Sequence, residues 1–458
     1  MFTEETIVAV ATAYGEGGIG IIKISGSESR NILDQIFVPN KGTDVQNRKL
    51  AYGVIKDPDK NEVIDEVLTV FFPSPNTYTR EDIVEINCHG SVVALRKILD
   101  LVLRSGARLA EPGEFTKRAF LNGRIDLTQA EAVIDLIKAK TDKSFDSAFS
   151  QLEGNISLKV KEIRASLMDL LVKITVNLDY PDEDIEEITY TELHNSISAI
   201  GNMIEKLLAT ADTGRIIRDG LKVVISGSPN VGKSSLLNAL LKESRAIVTE
   251  IPGTTRDTIE ESMSIRGIPI KLVDTAGIRN TDDKIEKIGI EKSKQAFNEA
   301  DLVVFMVDGS EALSDGDLTL LEYIGNKKAI VLINKIDIEK RINEQQILDI
   351  LPNSDIISTS VTGDIGINEL EEKIEALVYG GKVKQNESLL ITNARHKDLL
   401  TRASNALSDA KGMTEKKEAL DFVEVDVKLC WELLGEIIGE TATEDIIHEV
   451  FASFCLGK

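Results

Sequence analysis

Cysteine is scarce in this chain: the 458 residues hold three, Cys88, Cys430 and Cys455. Three cannot close a disulfide framework and none has zinc-site spacing, so a reducing, cytoplasmic setting is expected. Long apolar runs are missing as well, since none approaches the length of a membrane span. Met1-Phe2-Thr3-Glu4-Glu5 is acidic and has no basic n-region, so no signal peptide is expected. Basic charge is in short supply. Lys and Arg number 53 against 76 Asp and Glu, for a net charge of −23. Such a chain repels polyanions at long range, and an RNA substrate would be gripped largely through a partner. There is no internal repeat and no low-complexity stretch.

What is present suffices for real cores: 42% of residues are hydrophobic and 28% charged. Short β-rich runs (Thr6–Val10, Ile19–Ile24, Val63–Phe72, Ile83–Cys88) and helical patterns (Val92–Ser105, Glu114–Leu121) predict an α+β N-terminal domain, 1–118. Long 3.6-period segments follow at Ala130–Lys138, Ile156–Val176 and Thr191–Leu208. Strands then alternate with helices from Leu221 to about Val378, which predicts a parallel sheet. The tail from Thr392 to Phe454 is helical again and too short for a core of its own. The expected fold class is therefore multidomain α/β. An all-α helical domain is formed by 119–216 and 381–458, and a Ras-like P-loop G domain, 217–380, is inserted in it.

The chemistry is concentrated in that insert. The apolar strand Lys222–Ser226 runs into Gly227-Ser228-Pro229-Asn230-Val231-Gly232-Lys233-Ser234, and Ser235 continues a helix. This is the phosphate-binding loop in its required strand–loop–helix context. Its glycines let backbone N–H groups wrap phosphates, Lys233 adds a point charge, and Ser234 can ligate Mg²⁺. A second strand ends in Asp274-Thr275-Ala276-Gly277, where Asp274 reaches the metal through water and Gly277 N–H meets the γ-phosphate. A third ends in Asn334-Lys335-Ile336-Asp337. The Asp337 carboxylate matches two donors on guanine that adenine lacks, so the nucleotide is GTP. Ser360-Val361-Thr362 is a degenerate match to the loop that closes over the base. Thr249-Glu250-Ile251-Pro252-Gly253-Thr254-Thr255 occupies the place of the first switch, where a threonine completes the Mg²⁺ shell. Ile278 stands where Ras-like GTPases carry a water-orienting glutamine, so another group must assist hydrolysis or hydrolysis is slow.

Gly15-Glu16-Gly17-Gly18-Ile19-Gly20 fits the dinucleotide pattern G-x-G-x-x-G. That fingerprint needs a helix after the glycines, and Ile21-Ile22-Lys23-Ile24-Ser25 reads as a strand. A tight glycine turn is the plain alternative, and close backbone approach to a different ligand is another.

Four further segments carry a resemblance. They are Thr6–Ala9 with Gly17–Gly26; Tyr78–Gly90; Glu111–Thr116 through Asn122–Ala130; and Cys455-Leu456-Gly457-Lys458. The G domain adds Gly253-Thr254-Thr255-Arg256-Asp257 and Ile288-Gly289-Ile290-Glu291. With them the chain resembles the bacterial tRNA-modification GTPases of the MnmE (TrmE) family. The resemblance implies a homodimer joined through N-terminal domains. Each would bind a tetrahydrofolate one-carbon donor of 5-formyl or 5,10-methylene type. It implies a heterotetramer or larger complex with an FAD-dependent GidA/MnmG-type protein, which carries FAD and much of the tRNA contact. That complex installs aminomethyl-type groups on C5 of the wobble uridine of certain tRNAs. No membrane association is expected.

It also implies an answer to the missing glutamine. K⁺ would bind where Asn230, Thr249, Ile251 and Thr254 stand, Glu286 would position the attacking water, and Ser234 and Thr255 would ligate Mg²⁺. The plain alternatives are a turn residue at Asn230 and a solvated charge at Glu286. The folate positions are Lys23, Glu85, Arg124 and Lys458. Lys23 stands where arginine is frequent, and Arg124 where lysine is; a bidentate grip is lost at Lys23. Cys455 is the implied reactive thiol, and Gly457-Lys458 does not suit a prenylation signal. Two competing expectations share the G domain: a GTP-switched RNA or ribosome assembly factor, and a one-carbon transferase with a vestigial GTPase. The acidic flanks disfavour the first and the complete nucleotide set the second.

Overall fold

The computed structural model describes residues 5–13, 15–41, 44–179, 189–243, 262–273, 297–339, 341–380, 389–454 and 457. They divide into two compact units. One comprises Met1–Ile134, Gln151–Ile200 and Asn405–Lys458; the other comprises Asp135–Ser150 and Gly201–Ser404.

The first unit is built on β1 (Ile7–Val10), β2 (Gly17–Ser25), β3 (Phe37–Pro39), β4 (Ala51–Asp57), β5 (Glu62–Phe72), β6 (Ile83–Gly90) and β7 (Arg108–Leu109). They form one sheet in the order β3-β4-β5-β6-β2-β1-β7. All pairs are antiparallel except the parallel β1–β7. Helices α1 (Ser29–Ile36) and α2 (Val92–Arg104) cover it. They bury Ile32, Leu33 and Ile36, and Leu95, Ile98, Leu101 and Val102, against Val8, Ile22, Ile24, Val84 and Ile86. The spacing of these residues is that of one helical face. Ser91 caps α2 by accepting from Val93 N at 3.3 Å. The run Gly17–Gly20 is part of β2, not a turn into a helix. A Cβ at Gly20 would lie 2.8 Å from Leu95 Cδ2, and one at Gly90 2.4 Å from Gly17 O. Gly20 serves close packing against Leu95, and only Gly15-Glu16 remains outside the strand.

Helix α3 (Glu114–Leu121) is tied to the sheet by charge. Glu114 is 7% exposed and accepts from Arg108 Nη2 at 2.7 Å and Arg118 Nη2 at 2.9 Å. Burial disfavours its charge, but the two guanidiniums and the Glu111 N–H outweigh that and hold its pKa at about 2. The same unit contains α6 (Asn155–Asp179), which follows α4 (Leu127–Lys138) and α5 (Asp142–Leu152) in the chain. The helix Leu420–Ile438 packs along α6. Arg164 lies 4.0 Å over the Trp431 ring, and Thr175 Oγ1 donates to Glu424 Oε1 at 2.9 Å.

After α7 (Tyr190–Leu208), which belongs to the second unit from Gly201 on, that unit continues with α8 (Ala211–Asp219), β8 (Leu221–Ser226), α9 (Lys233–Glu243), β9 (Ser262–Ile265), β10 (Ile268–Leu272), β11 (Leu302–Asp308), β12 (Ala329–Asn334) and β13 (Asp355–Ser358). The sheet runs β13-β12-β11-β8-β10-β9 and is parallel apart from the β9–β10 hairpin. Its central strands are buried on both faces, as helix-covered parallel strands are. The phosphate loop leaves the carboxyl end of β8, the edge where open α/β sheets bind ligands.

Candidate functional site

The loop 227–232 is held in shape by its own backbone and by two buried side chains. Gly227 (φ 142°), Asn230 (φ 62°) and Gly232 (φ 109°) lie in the region that disfavours side chains, and asparagine tolerates it best after glycine. A Cβ at Gly227 would sit 2.1 Å from Met306 O, and one at Gly232 2.4 Å from Asn334 Nδ2. Ser228 Oγ donates to Asp317 Oδ1 at 2.6 Å. The other Asp317 oxygen caps the helix Asp315–Ile324 by accepting from Ser314 N and Oγ at 3.1 and 2.7 Å. Asn334 Nδ2 donates to Val231 O at 2.8 Å, while its Oδ1 accepts from Val361 N at 3.2 Å and Thr359 Oγ1 at 3.3 Å. Lys233 opens α9 and folds its ammonium back onto Gly227 O and Ser228 O, both at 2.8 Å. Burial lowers its pKa, against the opposing pull of Asp317. A cation at the start of a helix behind a left-handed loop is an anion cradle.

The segment Asn334–Asp337 leaves the end of β12. Lys335 (φ 64°) reaches Asp308 Oδ2 at 2.5 Å. Burial works against the Asp308 charge, yet the Lys335 and Ser310 hydrogen bonds prevail and hold its carboxyl below the ordinary range. Asp337 Oδ1 accepts from Ser360 Oγ at 2.6 Å. The degenerate Ser360-Val361-Thr362 thus meets both Asn334 and Asp337. Asn230, Val231, Gly232, Lys233, Ser234 and Ser235 fall on the loop and first turn of α9; Asn334, Lys335 and Asp337 fall at the end of β12. Thr249, Glu250, Ile251, Pro252, Gly253, Thr254, Thr255, Asp274, Thr275, Ala276, Gly277, Glu286, Cys455 and Lys458 lie outside the described residues.

A separate cavity of about 510 Å³ opens in the first unit. Lys23 on β2 and Glu85 on β6 are cross-strand partners, 3.7 Å apart. The Lys23 ammonium stands 5.8 Å from both the Tyr78 and Phe115 ring centres. The Arg124 guanidinium also lies over the Tyr78 ring, 4.6 Å from its centroid. Tyr78 is anchored by its hydroxyl to Thr116 Oγ1 at 2.9 Å, and burial raises the phenol pKa. The structure therefore brings Lys23, Glu85 and Arg124 to one cavity. Sequence reasoning missed Arg48 and Arg80, which also line it. Both have positive φ (60° and 59°) and belong to no periodic pattern that would single them out.

The two described cysteines are unsuited to nucleophilic chemistry. Burial pushes the Cys88 thiol up to about 11 and the Cys430 thiol to about 12. Near the C-terminus, Gly457 (φ 87°) lies against β1. A Cβ there would be 2.3 Å from Val10 O. Among the described residues no helix is long and apolar enough to cross a membrane.

Comparison with known proteins agrees with this geometry. Residues 6–124 match the family model described as the GTP-binding protein TrmE N-terminus, and 127–455 that of the MnmE helical domain. The tRNA modification GTPase MnmE of Alkaliphilus oremlandii is 53% identical over 461 residues, covering 100% of each chain. Its Clostridioides difficile counterpart is 52% identical with the same coverage. Among solved structures, the G domain of the T. maritima FeoB iron transporter is 29% identical over 34% of this chain and 96% of its own, at a TM-score of 0.25 that supports no further inference. The full-length identity and the two family models covering nearly all residues place the chain in the MnmE family of tRNA modification GTPases.

Proposed function

We propose that this chain is a GTP hydrolase acting in tRNA modification. With an FAD-dependent GidA/MnmG-type partner it places aminomethyl-type groups on C5 of the wobble uridine of certain tRNAs, using a tetrahydrofolate one-carbon donor. The observation that carries the hydrolase reading is Asn334, 4% exposed, which ties the base-reading strand to the phosphate loop through Val231 O. A single buried side chain coupling those two segments fits a nucleotide spanning both. The glycine-lined, left-handed loop with Lys233 at a helix start fits a Mg²⁺-bound triphosphate.

In this reading Lys233 holds the β- and γ-phosphates, and Ser234 and Thr255 ligate Mg²⁺. Asn230 with Thr249, Ile251 and Thr254 holds K⁺, which supplies positive charge where the missing glutamine leaves none. Glu286 orients the attacking water, and Asp337 reads guanine. Lys23, Glu85, Arg124 and Lys458 hold the folate, and Cys455 serves the modification step. The chain is a cytoplasmic homodimer joined through N-terminal domains, with a helical domain interrupted by the G domain. The supports are the family membership, the shared cavity of Lys23, Glu85 and Arg124, and the inert environments of Cys88 and Cys430.

The test is GTP hydrolysis by the purified protein at fixed ionic strength in KCl against NaCl. At least about tenfold faster turnover in KCl is expected, given the charge a cation neutralises. Equal rates would remove the Asn230-centred cation site and favour the assembly-factor alternative.

A further inference from the structure

The cavity that holds Lys23 and Glu85 is strongly basic on a strongly acidic protein. Four cations, Lys23, Arg48, Arg80 and Arg124, face one carboxylate, Glu85. Among the described residues Glu85 pairs with Lys23, and none of the three arginines has an ion-pair partner. In a chain of net charge −23, three unpaired guanidiniums at one concavity do not follow from chance placement.

They are also fixed in place. Arg48 Nη2 donates to Asn76 O at 2.7 Å, with its guanidinium 5.7 Å over the Phe72 ring. Arg80 Nη1 donates to Asn122 O at 2.7 Å. Both hydrogen bonds go to backbone carbonyls, so each guanidinium is oriented without being neutralised and keeps further N–H groups for a planar anion. The positions are graded. Lys23, Glu85 and Tyr78 are partly buried, whereas Arg48 and Arg80 stand exposed at the lip. That gradient suits a ligand with a polar aromatic head and an anionic tail directed outward.

We propose that Arg48 and Arg80 read the carboxylates of the ligand's tail, so that the site selects folates carrying several linked glutamates over the monoglutamate. This rests on the folate reading of the cavity and deepens it. Each added glutamate brings one carboxylate to the lip. Exposed pairs are individually weak and screened by salt, so the two arginines together are worth about tenfold in affinity at low salt.

The experiment is calorimetric titration of the full chain with mono- and triglutamyl 5-formyltetrahydrofolate, at low and high salt. The triglutamate binds about tenfold tighter at low salt, and high salt erases most of that advantage. Arg48→Gln and Arg80→Gln each weaken the triglutamate more than the monoglutamate, with thermal melting as the folding control. Equal affinity of the two forms for the unmodified chain overturns the inference and leaves the folate reading standing; binding of neither overturns both. Variants that keep the triglutamate advantage but lose tRNA binding would assign the arginines to a phosphate backbone and overturn the proposal.

Discussion

Asn334 and Asp317 hold the phosphate loop from beneath with side chains 4% and 7% exposed, whereas Arg48, Arg80 and Arg124 stand exposed around the basic cavity. The loop is fixed by neutral or single-charge hydrogen bonds, of which the Asn334–Val231 bond is buried and the Ser228–Asp317 bond partly so. The cavity's lip is oriented by bonds to carbonyls and left electrostatically unsatisfied. In the proposed function, recognition at the first rests on preformed geometry, and at the second on charge that salt can screen. Changes at the loop should therefore move affinity and stability together, while changes at the lip should move affinity alone.

The largest expected effect is Asn334→Ala. It strands Val231 O and removes the acceptor used by Val361 N and Thr359 Oγ1, and each buried unmet group costs about 1–3 kcal/mol. Loss of GTP affinity by at least about a hundredfold with a lowered Tm is expected. Fluorescent-nucleotide titration and a thermal melt check it, and an unchanged Tm would break the contrast drawn above. Next is the acid limb of stability in the first unit. Glu114 is held at about 2 against its ordinary 4.5, so its stabilisation is complete above pH 4.5 and is lost as pH falls towards 2. The amount is on the order of 3 kcal/mol. Denaturation against pH should show this slope, and Glu114→Gln should flatten it. Asp337→Asn should cost about a hundredfold in GTP affinity and confer xanthine-nucleotide binding. Competition binding decides this, and an unmoved GTP preference would refute the assignment of the base reader. The smallest effect is Ser228→Ala, which removes one bond to Asp317 and spares the helix cap. A loss of about fivefold in nucleotide affinity follows from a bond of about 1 kcal/mol, and no change at all would show that the loop needs no such brace.

The two regions were not equally legible. The phosphate loop and Asn334–Asp337 are contiguous, each following its strand, so local pattern alone located them. Ser360-Val361-Thr362 reaches Asp337 through the Ser360 hydroxyl and Asn334 through Val361 N. The cavity has no such local code. Lys23 and Glu85 meet only through the β2–β6 register, and Arg124 arrives from beyond α3, so resemblance rather than pattern named them. Strand β4 went unread because, of its inward positions Ala51, Gly53, Ile55 and Asp57, only Ile55 is a large apolar residue, which is too little to show alternation. Asp57 is buried there because Arg104 Nη2 donates to it at 2.7 Å. Helix α1 is short, with only Ile32, Leu33 and Ile36 to mark its buried face beside Ser29. Helix α5 exposes Phe145 and Phe149, 49% and 46%, which blurs its amphipathic signal.

Asn334 has a practical corollary for redesign. Its single amide grips the phosphate loop with one end and the loop after β13 with the other, so a mutational library aimed at base preference cannot treat the four residues 334–337 as interchangeable letters. Diversity belongs at 337, where the side chain answers to one serine hydroxyl; at 334 the same diversity would dismantle the phosphate grip before any new base could be sampled.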